Sequence, residues 1–518
     1  MVGWTLAQVA AFPQLGVLTC NLRRKLRRFV AVAALQQRAI ELSRPASAGR
    51  GAPGMAVFMR SLGARMREVR IQDTLSGTVR TLEPRDPPKV GIYACGPTVY
   101  GRVHVGNARP YVLFSLLKRF LQHEGYDATF VANVTDVNDK IYDAARERGM
   151  PSEQLAREMT DAYVADTNAL GLERPDHEPK ASETIAGIIE LIQALIDSGH
   201  AYEARGDVYF RVASFEGYGK LSNRPLDEMQ QGEGDDSADV KEAPQDFALW
   251  KARKKGEDTW WESPWGEGRP GWHIECSAMA EQILGVDFEI HGGGSDLIFP
   301  HHENEIAQTE AARGLPLARL WMHNGMVEMG DEKMAKSLGN IRLLHGAIEQ
   351  FGRAAFLMWI VGAHYRKPVA YTEETLEDAG RAVDRVRELI RRLDPQAPAA
   401  DELDAFVERF FDHLADDFNT AAARAELFAW VAEANRRADA GERLGPGRLG
   451  EMLHAFGLEG LLDDGEEQAP AEIERLAAER EDARKARDFE RADRLRDELA
   501  ASGWEIRDTA EGPRLVRT

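Results

Sequence analysis

Apolar residues recur along this chain in two periods, and each change of period marks an element boundary. From Val69 the pattern is strand-like, and Lys89-Val90-Gly91-Ile92-Tyr93-Ala94 is a short apolar run suited to one strand. Tyr111, Leu113, Leu116, Leu117 and Phe120 then share one stripe of a helix that starts near His104, and Ala128-Thr129-Phe130-Val131-Ala132-Asn133-Val134 reads as the next strand. Strand, glycine-bearing loop, helix, strand is one βαβ unit, so the expected fold class is α/β with a doubly wound, Rossmann-type parallel sheet.

Helical periodicity continues to about residue 200, and the polar stretch 230–239, with Gly232, Gly234 and several acids, predicts a surface loop in an inserted domain. The sheet resumes at Val286-Asp287-Phe288-Glu289-Ile290-His291, ahead of Gly292-Gly293-Gly294. A helix carrying Ala355, Phe356, Met358, Trp359 and Ile360 follows, then a long helical region over 373–462. The acidic, Gly- and Pro-containing stretch 463–470 reads as a linker. Two more helices are expected after it, the second holding Ala492, Leu495 and Leu499 and closed by Gly503, and then a hairpin of Trp504-Glu505-Ile506-Arg507 and Arg514-Leu515-Val516-Arg517.

Composition narrows the class. At 518 residues the chain has room for several domains, and no run of about eighteen apolar residues suggests a membrane span. Three cysteines, an odd number in a long chain, argue against a disulfide framework and leave the thiols for metal or chemistry. The net charge of -20 is unevenly placed: residues 1–65 hold ten Lys/Arg and one acid, Glu41, leaving 55 basic against 84 acidic residues in the remainder. Contact with a polyanion must therefore use local patches, of which Lys251-Ala252-Arg253-Lys254-Lys255 is one. The leader, with Leu22-Arg23-Arg24-Lys25-Leu26-Arg27-Arg28, has the composition of an organellar transit peptide. The favoured alternative is a start assigned too far upstream, with Met66-Arg67-Glu68-Val69-Arg70-Ile71 beginning the first strand.

Two short segments carry the candidate chemistry. In His104-Val105-Gly106-Asn107 a glycine lets backbone approach a ligand at a helix start, and His104 with the lysines of Lys333-Met334-Ala335-Lys336-Ser337 offers donors and positive charge for a triphosphate. Between them lies a metal-type constellation. Cys95 ends a strand, Cys276 sits in Gly271-Trp272-His273-Ile274-Glu275-Cys276-Ser277, and Pro300-His301-His302-Glu303-Asn304-Glu305 puts His301 and Glu305 one helical turn apart. Two thiolates, an imidazole and a carboxylate suit Zn²⁺, although spacing alone leaves His301 and His302 equally eligible.

Those two segments resemble the HIGH and KMSKS signatures of class I aminoacyl-tRNA synthetases, with Asn107 for the last His and Ala335 for the first Ser. The runs Tyr93-Ala94-Cys95-Gly96-Pro97-Thr98-Val99-Tyr100, Ser263-Pro264-Trp265-Gly266-Glu267-Gly268-Arg269-Pro270 through Met279, and Phe299-Pro300-His301-His302-Glu303-Asn304-Glu305 resemble the cysteinyl-tRNA synthetase family, and the likeness covers residues 66–518. The resemblance implies Zn²⁺ on Cys95, Cys276, His301 and Glu305. It also implies an ATP site of His104, Gly106, Asn107, Gly293, Asp296, Lys333 and Lys336 with Mg²⁺, catalysis by His104, Asn107, Lys333 and Lys336, and a cysteine pocket of Thr135, Trp272 and His291. The implied reaction activates L-cysteine with ATP and transfers it to tRNA-Cys, with no editing domain, in a monomeric cytoplasmic enzyme, imported into an organelle if the leader is genuine. The implied layout is a leader (1–65), a sheet split into halves (66–181 and 263–325) by an inserted domain (182–262), the lysine-loop region (326–355), a helical bundle supporting the tRNA stem (356–465), and a small α+β anticodon-binding domain (468–518). Within that layout Asp416-Asp417-Phe418-Asn419-Thr420-Ala421 resembles a bundle signature, and Trp504 with nearby arginines is a candidate for stacking on anticodon bases. Two rivals remain: a related ligase that joins cysteine to an amino sugar in mycothiol synthesis but lacks the terminal module, and an inert zinc-containing RNA-binding relative, which loss of His104 or of both lysines would have marked.

Overall fold

The computed structural model describes residues 67–224, 240–329, 332–333, 342–398, 400–462, 471–485, 488–502, 504–509 and 512–517. Backbone contacts divide the chain into 1–65 and 66–518, and only the second unit holds described residues. The leader, the polar stretch 230–239 and the linker 463–470 therefore lie outside the described residues, as do Gly503 and all of the lysine motif except the backbone of Lys333.

The chain enters as an antiparallel hairpin, β1 (Arg70–Asp73) with β2 (Thr78–Thr81). Next come β3 (Lys89–Ala94), α1 (Val105–His123) and β4 (Asp127–Ala132), the βαβ unit read from the sequence, with β3 and β4 parallel. Two helices, α2 (Asp139–Arg148) and α3 (Ser152–Asn168), precede α4 (Ile185–Asp197). The expected unbroken helical stretch is interrupted at 169–184, where the backbone runs beside β4 and pairs His177 with Val131 and Lys180 with Val134. An antiparallel sheet follows, built of β5 (Ala201–Ala204), β6 (Asp207–Phe210), β7 (Phe247–Ala252) and β8 (Gly268–Pro270), with a core of its own under α4.

Helix α5 (Trp272–Leu284) returns the chain to the parallel sheet, which β9 (Phe288–Gly294), α6 (Glu303–Arg313) and β10 (Ala318–Asn324) complete. Strand order is β10-β9-β3-β4, all parallel. From β3 the chain winds one way through α1 to β4, and from β9 it winds the other way through α6 to β10. The boundary between β3 and β9 is thus a topological switch point, the place where ligands bind beyond the carboxyl ends of such strands. Alternation divides the two faces. Ile92, Phe130, Ile290 and Leu320 pack in the core that contains α1, whereas the register row Val131, Tyr93, His291, Trp321 faces the cluster holding Cys276, Met279 and Ile306 of α5 and α6. Gly292 has to be glycine, because a β-carbon there would stand 2.3 Å from the Phe114 ring of α1 and 2.3 Å from the Met322 carbonyl oxygen.

The remaining strands β11 (Val327–Met329), β12 (Glu332–Lys333) and β13 (Val369–Ala370) bracket α7 (Leu344–Phe351) and α8 (Arg353–Ile360). The expected helical region holds four main helices among the described residues, α9 (Glu373–Arg392), α10 (Asp404–Ala415), α11 (Thr420–Asp439) and α12 (Leu449–Ala455). Between α10 and α11 the backbone turns through positive φ at Asp417 (61°) and Phe418 (44°). Asp417 is anchored for that conformation: its Oδ1 accepts from the Gln72 backbone N–H at 2.8 Å and the Tyr365 hydroxyl at 2.8 Å, and its Oδ2 pairs with Arg366 at 2.6 Å. Arg109 of α1 is buried and donates to the carbonyl oxygens of Met326 (2.9 Å), Tyr365 (3.3 Å), Lys367 (2.7 Å) and Gly325 (2.5 Å). Last come α13 (Ala471–Lys485), α14 (Phe489–Ala501) and the antiparallel pair β14 (Trp504–Thr509) and β15 (Gly512–Arg517), around a small core of Ile473, Leu499, Trp504 and Ile506.

Candidate metal centre and nucleotide crevice

At the switch point β3 ends directly before Cys95, whose backbone N–H donates to the Gly292 carbonyl at 3.2 Å. Cys276 lies on the second turn of α5, His301 lies in the turn Ile298–His302 and Glu305 on the first turn of α6 that follows it, so three segments converge under the carboxyl end of the sheet. The ligand atoms of Cys95, Cys276, His301 and Glu305 all lie within 4.8 Å of one another. Four donors at about 2.0–2.3 Å from a tetrahedral Zn²⁺ stand roughly 3.3–3.8 Å apart. Glu305 Oε1 lies 3.1 Å from His301 Nε2 and 3.5 Å from Cys95 Sγ, close to that spacing. The residues present therefore fit a zinc ion.

A second set, Cys95, His291, His302 and Glu305, meets the same distance test and overlaps the first. His302 Nε2 is 3.3 Å from Cys95 Sγ, and its Nδ1 bonds His323 Nε2 at 2.7 Å, with Thr74 Oγ1 at 2.7 Å from the other nitrogen of His323. This line of side chains was invisible in the sequence, where His323 falls in an unpredicted strand. His291 Nε2 bonds Glu305 Oε2 at 2.7 Å, a hydrogen-bond distance too short for two donors on one ion. His291 thus holds one carboxylate oxygen and leaves Oε1 toward His301, while its own Nδ1 is buried with no partner among the described residues. On the far side His301 Nδ1 meets His273 Nδ1 at 2.9 Å, and the Trp272 indole stacks on the His301 ring with centroids 4.4 Å apart.

Burial and mutual contact set the protonation pattern. Burial pushes the Cys95 thiol up, and it shares its proton with Cys276, which that hydrogen bond brings down to about 6. Burial lowers His301, but Glu305 and Cys276 more than offset it, so His301 ends above its ordinary value. His302 and His273 are both held well below theirs by burial and by neighbouring imidazoles, and so are neutral. Thr135 is buried just past β4, pairing in backbone with Thr98 of the loop after Cys95.

That loop leads to the nucleotide end. His104 caps α1, its Nδ1 accepting from the Asn107 N–H at 3.3 Å. Burial lowers the His104 imidazole, opposed by Asp296, so the neutral ring with Nδ1 occupied presents Nε2–H outward. A β-carbon on Gly106 would sit 2.9 Å from His104 Nδ1, so glycine keeps this cap in place. Asp296 lies in the turn Ser295–Leu297 that follows β9, and Gly293 leaves no room for a β-carbon beside Leu297 at 2.8 Å. The backbone of His104 also pairs with Leu343, with Val105 N–H on Arg342 O and Leu344 N–H on Val103 O, so the segment after the lysine motif is bonded to the helix start. The side chain of Lys333 and all of Lys336 lie outside the described residues.

In the tail the stacking candidate Trp504 is a core residue. Trp504 is buried in the small core and unavailable to a base, because β14 lays it over α13 and α14. Phe489, at the start of α14, is 63% exposed and was missed because sequence alone does not show which aromatic the hairpin covers. In the inserted sheet, Lys251 pairs with Asp139 and Arg253 with Glu267, whereas Lys254 and Lys255 are exposed.

Comparison with known proteins gives three matching family models: tRNA synthetases class I (C) catalytic domain over residues 81–381, DALR domain over 409–457, and Cysteinyl-tRNA ligase anticodon binding domain over 466–512. The chain is similar to the cysteine–tRNA ligase of Geobacillus thermodenitrificans, 45% identical over 466 residues that span 87% of this chain and all of that protein. It is also similar to that of Halorhodospira halophila, 45% identical over 461 residues with the same coverage. Among solved structures, methionyl-tRNA synthetase from Mycobacterium tuberculosis with methionyl-adenylate superposes with a TM-score of 0.53 at 16% identity, covering 72% of this chain and 88% of that one. A LeuRS–tRNA–LeuAMS complex from Agrobacterium radiobacter gives 0.54 at 10% identity, covering 74% and 85%, and both likenesses speak for the fold alone.

Proposed function

Because this chain belongs to the cysteine–tRNA ligase family, we propose that the crevice at the β3/β9 switch point joins cysteine to ATP and passes it to tRNA-Cys. The protein is an ATP-dependent, AMP-forming aminoacyl-tRNA synthetase of class I. The observation that carries the reading of the site is the buried set Cys95, Cys276, His301 and Glu305 at the foot of a glycine-walled crevice. We take these four as the zinc ligands, because His291 is already spent on Glu305 and because two thiols sharing a proton are a ready thiolate source. Zinc bound there would supply a soft partner for the substrate thiolate, a preference that serine's hydroxyl and alanine's methyl cannot match.

The chain's own residues do the rest. His273 and His291 orient His301 and Glu305. Trp272 and Thr135 wall the pocket, and the unpartnered His291 Nδ1 is available to the bound cysteine. At the nucleotide end, the Gly106 N–H at the start of α1, His104 Nε2–H and the Asn107 side-chain amide receive the phosphates, with Gly293 and Asp296 beside the adenosine. Lys333 and Lys336, with Mg²⁺ carried by ATP, neutralise the β- and γ-phosphates as a carboxylate oxygen of cysteine attacks the α-phosphorus and pyrophosphate leaves. The terminal ribose hydroxyl of tRNA then attacks the acyl carbon and AMP leaves. On the tRNA side, the bundle supports the stem, and Phe489 takes the stacking role that burial denies to Trp504. The matched terminal module supports tRNA over an amino sugar as acceptor, and the intact His104 speaks against an inert relative. No described helix is long and apolar enough to cross a membrane.

Cysteine-dependent ATP–pyrophosphate exchange, repeated with serine and alanine, and charging of tRNA-Cys test this directly. Strong preference for cysteine with tRNA charging is expected. Exchange with cysteine followed by transfer to an amino sugar and not to tRNA overturns it.

A further inference from the structure

Lys140 stands at the mouth of the proposed cysteine pocket without an acidic partner among the described residues. It is the second residue of α2, exposed, and its ammonium lies 5.8 Å from the Tyr100 ring centroid and 6.0 Å from that of Trp272. These cation–π contacts are its only side-chain interactions among the described residues. Trp272 also stacks on His301 at 4.4 Å and meets His273 at 5.2 Å, so one indole separates Lys140 from the metal centre. Tyr100 belongs to the loop that joins Cys95 to His104. The ammonium therefore bridges the two walls between which the activated cysteine lies.

The neighbourhood reinforces this charge. Asp139, the adjacent acid, is already taken by Arg269 and by Lys251 at 3.3 Å. Lys251 opens the basic run singled out in the sequence, and Lys254 and Lys255 continue it as exposed residues; burial pushes the Asp139 carboxyl up, but Arg269, Lys251 and Lys254 outweigh it and lower it. A positively charged rim beside half-exposed aromatic rings is the arrangement that holds single-stranded nucleic acid. For transfer, the terminal ribose hydroxyl must come within about 3–3.5 Å of the acyl carbon, so the last phosphodiester has to cross this mouth.

We propose that Lys140, backed by the basic turn 251–255, is the positioning cation for the 3′-terminal phosphodiester of tRNA as its single-stranded end enters the cysteine pocket. This rests on the ligase reading above. The test uses the full chain with Lys140→Gln and Lys140→Arg, and tRNA-Cys either intact or trimmed of its unpaired 3′ nucleotides. Lys140→Gln should slow transfer from preformed adenylate and weaken binding of intact tRNA about five- to tenfold, Lys140→Arg should restore most of both, and trimmed tRNA should bind wild type and Lys140→Gln alike. Equal weakening toward trimmed tRNA, or a loss in pyrophosphate exchange as large as the loss in transfer, overturns the proposal in favour of a remote contact or a purely structural hold on Trp272. Wild-type protein that activates cysteine but charges no tRNA overturns the ligase reading and this inference with it. Wild-type charging combined with an unaffected Lys140→Gln variant overturns this inference alone.

Discussion

Two overlapping ligand sets share Cys95 and Glu305, and they make opposite demands on Cys276 and His302. If Cys276 binds the ion directly, Cys276→Ser removes a sulfur donor and offers a poor oxygen in its place, whereas His302→Gln leaves all four donors standing. Binding of roughly 10–16 kcal/mol spread over four ligands assigns about 3 kcal/mol to each, or more than ~100-fold in zinc affinity for the lost thiolate. His302 touches the centre through a 3.3 Å contact to Cys95 Sγ and is itself held by His323. Removing an outer partner of this kind costs ~10–100-fold, and the lower end applies because Cys95 keeps Cys276 and Glu305 as neighbours. Cys276→Ser should therefore lose about ten times more zinc affinity than His302→Gln. Equilibrium competition against a chromogenic chelator, with metal content after dialysis, measures both, and near-UV circular dichroism establishes that each variant is folded. Discrimination of cysteine from serine in pyrophosphate exchange should fall with the metal in Cys276→Ser. A variant His302→Gln that loses its metal while Cys276→Ser retains it would refute the argument and select the other set.

Lys336→Ala should slow adenylate formation strongly while leaving cysteine affinity nearly intact, because its charge acts as pyrophosphate departs, and single-turnover kinetics separate the two. Phe489→Ala should weaken tRNA binding by about 1–3 kcal/mol with exchange preserved, whereas Trp504→Ala should instead lower the melting temperature of the terminal module. Glu451 supplies a pH test: burial pushes its carboxyl up, but hydrogen bonds from His123 and Arg448 outweigh that and bring it to about 2. Its folded pKa lies below the unfolded value, so its stabilising contribution is complete above about pH 4.5 and is lost as pH falls toward 2. Glu451→Gln should accordingly lower Tm clearly at pH 7 and hardly at pH 2.5. An equal shift at both would sever the link to ionisation.

How far the sequence could be read depended on whether period alone carried the signal. Strand β3, helix α1 and strand β4 were legible because the spacing of apolar positions switches from that of a strand to that of a helix and back. Strand β10 was not, because Arg319 breaks its short apolar run, His323 and Asn324 end it, and residues buried on both faces leave no alternation. The helical character of the bundle was legible, but its break between α10 and α11 was not, because the turn at Asp417 and Phe418 carries no glycine or proline and is held by distant partners, Gln72 and Tyr365. At the site, residue types named Cys95, Cys276 and Glu305. Spacing left His301 and His302 open, the resemblance implied His301, and the hydrogen bond by which His291, far along the chain, takes one oxygen of Glu305 supports that reading. Trp504 and Phe489 look alike as aromatic residues, and only the hairpin's packing over α13 and α14 separates a core residue from an exposed one.

The peptide 364–367 has more to carry than its place in a connecting loop suggests. Arg109, five residues into the helix that His104 caps, holds it by the carbonyls of Tyr365 and Lys367, and Asp417, between two bundle helices, holds it by the Tyr365 hydroxyl and Arg366. It works as a tie rod, joined at one end to the turn between α10 and α11 and at the other to α1. With both ends bonded, four residues link the bundle directly to the helix that His104 caps. Tyr365→Phe would remove one of the two links at the bundle end and leave the Arg366–Asp417 pair, so only loss of both would part the rod from the bundle.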